Sequence, residues 1–226
     1  IFLKNYYDYL NKNASSFNVD LIDNIYPDKI SQGLPAYGYI HPEYGCYADF
    51  ELRGQGCPFL PKRVVDQALR DENFKVSISN DLHRAMLLNP VFQSIHSKHQ
   101  KTLDLAWIVM DNGVSNVFPP YHYEEMIRKD SNIVDINESK NDYVRLLNPH
   151  FNPNREILWI HPYLDPFKHI WMTSCITPLY DGDTFLGTLG VDILLNTLVE
   201  HVLQIKIRNQ GYAFLLGPTG KIIAMP

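Results

Sequence analysis

Three apolar runs follow one another in ILWIHPYLDPFKHIWMTSCITPLYDGDTFLGTLGVDIL, residues Ile157–Leu194. Asp165-Pro166 separates the first two runs, and Asp181-Gly182-Asp183 is a hairpin signal between the second and the third. Apolar runs of this length between turn signals are typical of strands that neighbour one another in an antiparallel sheet. The segment therefore predicts three strands, at Ile157–Tyr163, Ile170–Tyr180 and Phe185–Val191.

Aromatic and acidic side chains are set into these predicted strands, namely Trp159, Tyr163, Asp165, Trp171 and Asp192. Such a set fits either a well-packed sheet core or the wall of a pocket that is apolar and also able to form hydrogen bonds. The residues alone leave both interpretations open.

Helical patterns dominate the chain before this segment. A loose helical period without Gly or Pro runs through 1–26, and the Gly- and Pro-rich region 27–61 is irregular. Leu103–Asp111 predicts a strand, with a hairpin turn at Asp111-Asn112-Gly113. Further helices are predicted at Lys62–Asp71, at Asp81–Leu88 with Asn80 as N-cap, at Val91–His99 with Pro90 in first position, and at Ile193–Lys206. The predicted class is α+β.

Composition excludes several functions. The formal net charge of −5 argues against nucleic acid as a partner, since phosphate binding needs a basic face. Phosphate-binding loops, zinc-protease motifs and nucleophile elbows have no signature in the sequence. We therefore predict no catalytic site, no metal and no cofactor in this chain. No run reaches the roughly 18 apolar residues of a membrane span.

Three cysteines are present. Cys46 and Cys57 flank a loop-like stretch, and either a disulfide in an oxidising compartment or a free pair fits their spacing. Cys175 lies in a predicted strand, and we interpret it as an inert buried thiol.

Several motifs occur in a specific order: WIVMDNGVSNVFPPY, W-x-x-P-Y-x-D-P, WMTSCITPLY, FLGTLGVDI, a helix, and G-Y-A-F-L-L-x-x-x-G-K-I-I-A. This order resembles the double Cache (dCache) sensor domain, the PAS-like extracytoplasmic module of bacterial transmembrane receptors, most like those of sensor histidine kinases. The resemblance spans most of the chain and is densest over Asn148–Pro226.

The resemblance implies a domain plan. A long N-terminal helix covers 1–26, a membrane-distal PAS-like ligand-binding module covers 27–203, and residues 204–226 begin a smaller membrane-proximal PAS-like module. Since the chain lacks an initiator Met and stops after an apolar run, we expect that it is a piece of a longer protein.

The resemblance also implies ligand contacts. Tyr163 and Asp165 match the family's Y-x-D pair, and Asp192 matches the Asp that ends the G-V-x-G-x-D strand. The family's R-x-W-Y helix has no recognisable counterpart, although Arg155 and Trp159 stand near its place. This departure leaves the ligand class open. The predicted ligand-binding residues are Trp107, Tyr121, Arg155, Trp159, Tyr163, Asp165, Trp171 and Asp192.

Structural roles compete with these ligand contacts. Asp192 precedes a predicted helix and suits an N-cap, while Asp165 suits a turn. Trp159 and Trp171 suit a cross-strand core pair, and Arg155 suits a surface salt bridge.

The expected function is that of a sensor domain of a transmembrane signalling protein in the inner membrane, with this domain in the periplasm or extracellular space. It would bind a small molecule and signal through the long helix, along which a homodimer is expected, with flanking spans as anchors. The expected output is a cytoplasmic histidine kinase. The alternatives are a chemoreceptor, a diguanylate cyclase or a protein-interaction module.

Overall fold

A computed structural model describes residues 38–52, 56–165, 168–207, 211–216, 220 and 222–225. Among these residues, nine strands form one antiparallel sheet in the order β1-β2-β3-β5-β4-β9-β8-β6, with β7 also paired to β8. The strands are β1 Tyr39–Ile40, β2 Tyr47–Ala48, β3 Cys57–Leu60, β4 Leu103–Met110, β5 Ser115–Phe118, β6 Leu158–Trp159, β7 Tyr163–Leu164, β8 Trp171–Asp181 and β9 Thr184–Leu194. The predicted α+β class is confirmed, and the predicted helix over 1–26 lies outside the described residues.

Helices and short turns alternate with these strands. The helices are α1 Lys62–Ala68, α2 Glu72–Met86, α3 Asn89–His99, α4 Tyr123–Lys129, α5 Asp142–Arg145 and α6 Leu195–Gln204. Two 3-10 turns, Ser131–Asp135 and Glu138–Lys140, connect α4 to α5. Among the described residues, no helix is long and apolar enough to cross a membrane.

The centre of the sheet is the long hairpin of β8 and β9. Strand β4 pairs with β9 on the side away from β8. Asp181↔Thr184 closes the hairpin at the predicted turn, and β4 pairs with β9 from Leu103↔Ile193 to Met110↔Gly187. Gly187 has a φ of 150°, and a Cβ there would lie 2.3 Å from the Val109 carbonyl oxygen. A side chain at this position would therefore force the two strands apart.

Both faces of the sheet are covered, which explains why β4 is apolar along nearly its whole length. On one face, Ala106, Ile108 and Met110 pack with residues of α1, α2 and α3. On the other face, Leu105, Trp107 and Val109 pack with residues of α4, the first 3-10 turn and α5. Since successive strand residues point to opposite faces, β4 contributes to two separate cores.

Helix α2 begins nine residues before the predicted start at Asp81. Asp71 caps it, with its side chain accepting a hydrogen bond from the Phe74 amide at 3.1 Å, so the predicted N-cap Asn80 is wrong. Phe74, Val76 and Ile78 alternate as in a strand, which hides the helical period, yet Val76 is 53% exposed while Ile78 is buried. Helix α3 extends the predicted Val91–His99 back to Asn89.

The chain leaves the large sheet after α6. Lys206–Ile207 pairs with Gly211–Tyr212, and Leu215–Leu216 pairs with Ile222–Ala224, each as a separate two-stranded sheet. The predicted division into modules at residue 203 stays a prediction.

Candidate functional site

A cavity of about 40 Å³ lies on the face of the sheet that α4 and the 3-10 turns cover. Its floor is formed by strand residues, and its cover is formed by loop and turn residues and by Tyr123 at the start of α4. The lining residues are Leu105, Trp107, Ile108, Ser115, Asn116, Val117, Tyr121, Tyr123, Glu138, Tyr163, Asp165 and Asp192. Aromatic, apolar and acidic groups thus share one small space.

The indole of Trp107 lies across Gly190, its partner on the neighbouring strand. A Cβ at Gly190 would lie 2.3 Å from the ring carbon Cζ2, so the missing side chain makes the room for the ring. Gly190 and Asp192 are two residues apart on β9 and point to the same face. The ring consequently reaches Asp192, and its Nε1–H donates a 2.7 Å hydrogen bond to Oδ1 of the carboxylate.

Ser174 holds the same carboxylate from the other side. It pairs directly with Asp192 across β8 and β9, and its hydroxyl donates a 2.6 Å hydrogen bond to Oδ1. The hydroxyl of Tyr163 lies 2.8 Å from Ser174 Oγ. Since the Ser174 proton is used towards the carboxylate, Tyr163 donates to Ser174. The polar groups therefore form a directed chain from Tyr163 through Ser174 to Asp192.

Asp192 is 4% exposed, and the groups in this chain of hydrogen bonds include no Lys or Arg. Burial raises the pKa of Asp192 to about 7, against the lowering effect of the bonds from Ser174 and Trp107. The negative charges of Asp165 and Asp104 raise its pKa further. Near neutral pH this carboxyl is therefore poised between its acid and its anion.

Glu138 adds a carboxyl from the cover of the cavity, at the start of the second 3-10 turn. It is half-buried, and burial raises its pKa to about 7, with Asp192 and Asp165 contributing through their charges. The negative charges of Asp192 and Asp165 thus act on the Glu138 carboxyl across the cavity.

Asp165 lines the cavity, and Lys168 follows it three residues later in the chain. Asp165 is 5% exposed, and its Oδ1 accepts a hydrogen bond from the Lys168 amide, so the predicted turn role is observed alongside a place in the lining. The Lys168 ammonium lies 2.8 Å from Asp104 Oδ2 and 5.6 Å from the centre of the Tyr121 ring. The charge of Lys168 is therefore balanced by Asp104.

Five of the residues predicted from sequence line the cavity together: Trp107, Tyr121, Tyr163, Asp165 and Asp192. The alternative role of Asp192 as an N-cap is wrong. Asp192 lies inside β9, and α6 begins after Leu194 with no side-chain cap.

Three predicted residues lie elsewhere. Arg155 is bonded to the β8–β9 turn, with Nη1 3.0 Å from the Gly182 carbonyl oxygen and Nη2 2.7 Å from Asp183 Oδ1. Trp159 and Trp171 are 59% and 55% exposed at the β6–β8 edge. None of these three side chains is part of the cavity lining.

Sequence reasoning missed Ser174, Glu138 and Tyr123. Ser174 is an ordinary strand residue until its pairing with Asp192 is known, and Glu138 lies in a polar stretch without a motif. Of the three, only Tyr123 had a sequence signal, because it is an aromatic residue two positions after the predicted Tyr121. The two rings stand edge to face with their centres 6.0 Å apart.

The carboxyls of the cavity do not form a metal centre. Within the described part of the chain, no group of three or more His, Cys, Asp or Glu side chains is placed to hold a metal ion.

The cysteines are free in the structure. Cys46 and Cys57 are buried on the cavity side of the sheet, and burial raises the pKa of both thiols, that of Cys46 to about 11. Cys175 is half-buried rather than buried.

No protein-family model matches the chain. It is similar to the methyl-accepting chemotaxis protein PctB of Pseudomonas aeruginosa, with 32% identity over 65 residues, which is 29% of this chain and 10% of PctB. The chain is thus compared with only a small part of that relative.

Solved ligand-binding domains of chemoreceptors are more distant. That of Pseudomonas aeruginosa PctB in complex with L-Arg is 20% identical and covers 66% of this chain and 51% of its own, with a TM-score of 0.45. That of PctC from the same organism, in complex with GABA, is 19% identical and covers 62% and 55%, with a TM-score of 0.43. The chain spans about half the length of these domains, and such likenesses do not establish that it belongs to their family.

Proposed function

We propose that this chain is the extracytoplasmic sensor domain of a bacterial transmembrane receptor and binds a small molecule in the cavity on β4, β5 and β9. The observation that carries the proposal is the convergence of Trp107, Tyr163, Asp165 and Asp192 on that one cavity. Pockets that recognise small molecules combine an apolar wall with a few fixed polar groups in this way.

The fixed geometry of the polar groups supports a binding role. Asp192 takes one hydrogen bond from Trp107 and one from Ser174, both onto Oδ1. A carboxylate held by two strands keeps its direction when a ligand enters. Affinity then does not include the cost of ordering that side chain.

A chemoreceptor is the kind of receptor we favour. The 32% identical match is to a chemotaxis protein, and it supports this output over the histidine kinase or diguanylate cyclase that the sequence resemblance also suggested. As part of the same proposal, the chain is not itself an enzyme, lies in the periplasm or outside the cell, and is anchored by flanking membrane spans. A homodimer along the N-terminal helix belongs to the proposal as well.

Signalling would follow from a difference in affinity. A ligand that binds one arrangement of sheet and cover more tightly than another shifts the population towards it, and coupling of this kind is typically about 1–3 kcal/mol. The loop at Tyr121, the start of α4 at Tyr123 and the turn at Glu138 contact the cavity from outside the sheet, so occupancy would act on the position of these segments.

A protein-interaction module is the second candidate. It is favoured by the exposed apolar edge of the sheet, where Trp159, Leu164 and Trp171 are 59%, 48% and 55% exposed. Exposed aromatic surface of this kind is typical of contacts between proteins.

A thermal-shift screen tests the proposal. The chain is screened against amino acids, amines, carboxylates and purines, since a ligand that binds only the folded state raises the melting temperature. The expected result is a hit that Asp192→Ala abolishes and that Asp183→Ala, which removes a fully exposed carboxylate from the same hairpin, preserves. Absence of any shift across all four classes would contradict the small-molecule proposal and favour the interaction module.

A further inference from the structure

The cavity is too small for the ligand that the proposed function requires. Its volume of about 40 Å³ takes about three water molecules. Pockets for small organic molecules measure about 300 Å³ or more. The structure therefore describes a closed arrangement, and part of the lining has to move before an organic molecule can enter.

The floor of the cavity is fixed in place. Leu105, Trp107 and Asp192 belong to β4 and β9, and both strands have a hydrogen-bonded neighbour on each side. Moving these residues would break the pairing in the centre of the sheet, where local opening costs the most free energy. The cover, rather than the floor, is therefore the part of the lining that can yield.

Two parts of the cover are held by the sheet itself. Tyr123 is buried, and its ring stacks on Phe59 of β3 with the ring centres 4.6 Å apart. The Tyr121 carbonyl oxygen accepts a hydrogen bond from Cys57 Sγ, also on β3, at 3.2 Å. Both aromatic residues are thus tied to a strand of the large sheet.

Glu138 reaches the cavity from two consecutive 3-10 turns, residues 131–140, which we define as the cover segment. The inner side of this segment is anchored by Ile133, which is 6% exposed and packs in the core on the cavity side. Its outer side is anchored by Asp135, which is bonded to Arg63 of helix α1. Glu138 follows Asp135 by three residues, so the position of Asp135 limits that of Glu138.

Arg63 and Asp135 are joined by three hydrogen bonds. The Arg63 backbone amide donates to Asp135 Oδ1 at 2.9 Å, and Nη1 of the guanidinium donates to the same oxygen at 3.1 Å. Nη1 also donates to the Asp135 backbone carbonyl oxygen. An exposed ion pair alone contributes little, but here the backbone of each residue is bonded to the side chain of the other. The geometry of the contact is therefore fixed at both ends.

This contact joins two layers on opposite faces of the sheet. Helix α1 contributes Val64 and Val65 to the core on the face away from the cavity, whereas the cover segment packs on the cavity face. The Arg63 guanidinium passes beside the β4–β5 turn, since a Cβ at Gly113 in that turn would lie 3.9 Å from Nη2. Arg63 thus holds the cover segment from a helix that does not itself line the cavity.

We propose that Arg63 and Asp135 are positioning residues that hold the cover segment closed over the cavity, and that this pair separates when a small molecule enters. The inference rests on the function proposed above and names the part of the cover that controls access to that site. Because Arg63 belongs to α1, opening of the site also releases this helix from the layer on the cavity face.

Acrylamide quenching of Trp107 fluorescence tests the inference without any ligand. Trp107 is 7% exposed in the cavity wall, so this neutral quencher reaches the ring when the cover opens. Trp159 and Trp171 are exposed, and replacing both by Phe leaves Trp107 as the one tryptophan of the chain. The quenching constant of Trp107 then reports how often the cavity is open.

In this background, Arg63→Ala and Asp135→Ala are each expected to raise the quenching constant of Trp107 about fivefold, which corresponds to about 1 kcal/mol lost from the closed state. The double variant should be no more open than Asp135→Ala alone, because two residues that act through one contact do not have additive effects. Lys62→Ala is the control, since it removes an exposed ion pair with Asp66 within the same helix, and it should leave quenching unchanged.

Hydrogen–deuterium exchange of the same variants locates the opening. Faster exchange is expected in peptides from 131–140, while the strands of the large sheet keep the wild-type rates. Faster exchange throughout the sheet would mean a general loss of stability and would overturn the positioning role.

The quenching results decide the inference separately from the proposed function. Unchanged quenching in both single variants, an equal rise in Lys62→Ala, or effects that multiply in the double variant would each contradict a latch at Arg63 and Asp135. None of these outcomes depends on the thermal-shift screen. The screen can yield a hit while the latch is wrong, and the latch can be confirmed while no small molecule binds.

Discussion

Replacing Asp192 by Asn should remove a large part of the pH dependence of the chain's stability. Burial raises the pKa of this carboxyl from an ordinary 3.8 to about 7 in the folded chain. Between those two values the folded state holds a proton that the unfolded state has lost. The free energy of unfolding of the wild type therefore falls as the pH rises from about 4 to about 7.

The size of this effect follows from the two pKa values. Each pH unit in that window is worth about 1.4 kcal/mol, so the wild type loses roughly 4 kcal/mol through Asp192 if burial acts in full. Asn does not titrate and keeps an oxygen that accepts the bonds from Trp107 and Ser174. We expect Asp192→Asn to be close to the wild type in stability near pH 4 and more stable by up to roughly 4 kcal/mol near pH 8.

Urea unfolding, followed by circular dichroism at several pH values between about 4 and about 8, measures this difference. Asp183→Asn serves as the control because Asp183 is fully exposed in the same hairpin, and its difference from the wild type is expected to stay within about 0.5 kcal/mol at every pH. A free-energy difference between Asp192→Asn and the wild type that stays constant with pH would refute the raised pKa of Asp192 and its cause, the burial of the carboxyl.

Other variants test further parts of the structure. Gly190→Ala places a methyl group 2.3 Å from the Trp107 ring, so it should cost about 1–3 kcal/mol in urea unfolding and also abolish the ligand-induced thermal shift; an unchanged shift would contradict the positioning of the ring. Asn116→Ala removes the hydrogen bonds that Asn116 makes to the buried Cys57 amide and to Asn89 Oδ1, and a loss of about 2–4 kcal/mol is expected; a loss below about 1 kcal/mol would contradict it. Arg155→Ala removes an exposed clamp on the β8–β9 turn, so stability should fall by less than about 1 kcal/mol and ligand affinity should not change; weaker binding would mean that Arg155 reaches the ligand.

Strands and hairpins with strong local signals were predictable from sequence. The continuous apolar run of β4 and the Asp111-Asn112-Gly113 turn are local features, and so is the turn at Asp181-Gly182-Asp183 between β8 and β9. Each needs only its own residues to form, because turn chemistry and an apolar run act over a few positions.

The face of the sheet to which each side chain points could not be predicted in the same way. Trp107 and Trp171 both lie in apolar strands, yet Trp107 is 7% exposed in the cavity wall and Trp171 is 55% exposed at the edge. Where both faces of a sheet are covered, alternation no longer shows which face a residue takes. The difference comes from strand order, which places β4 in the middle of the sheet and β8 beside the short β6 and β7.

Residues of the candidate site were predictable only where they belonged to a recognised motif. Asp192 was found through the resemblance, but its partner Ser174 required the register of β8 against β9. Glu138 reaches the cavity from a 3-10 turn more than fifty residues away from Asp192 along the chain, a contact that no local pattern encodes.

The tryptophan indoles offer the most direct measurement of whether this cavity binds the ligand. The chain has three tryptophans, so its proton–nitrogen correlation spectrum has three indole signals, which single Trp→Phe variants assign. The Trp107 Nε1–H is bonded to Asp192 in the cavity wall, whereas Trp159 and Trp171 are exposed at the sheet edge. Titration with a hit of the thermal-shift screen should move the Trp107 signal and leave the other two in place. A ligand that moves Trp159 or Trp171 while the Trp107 signal stays fixed would contradict the cavity as the binding site.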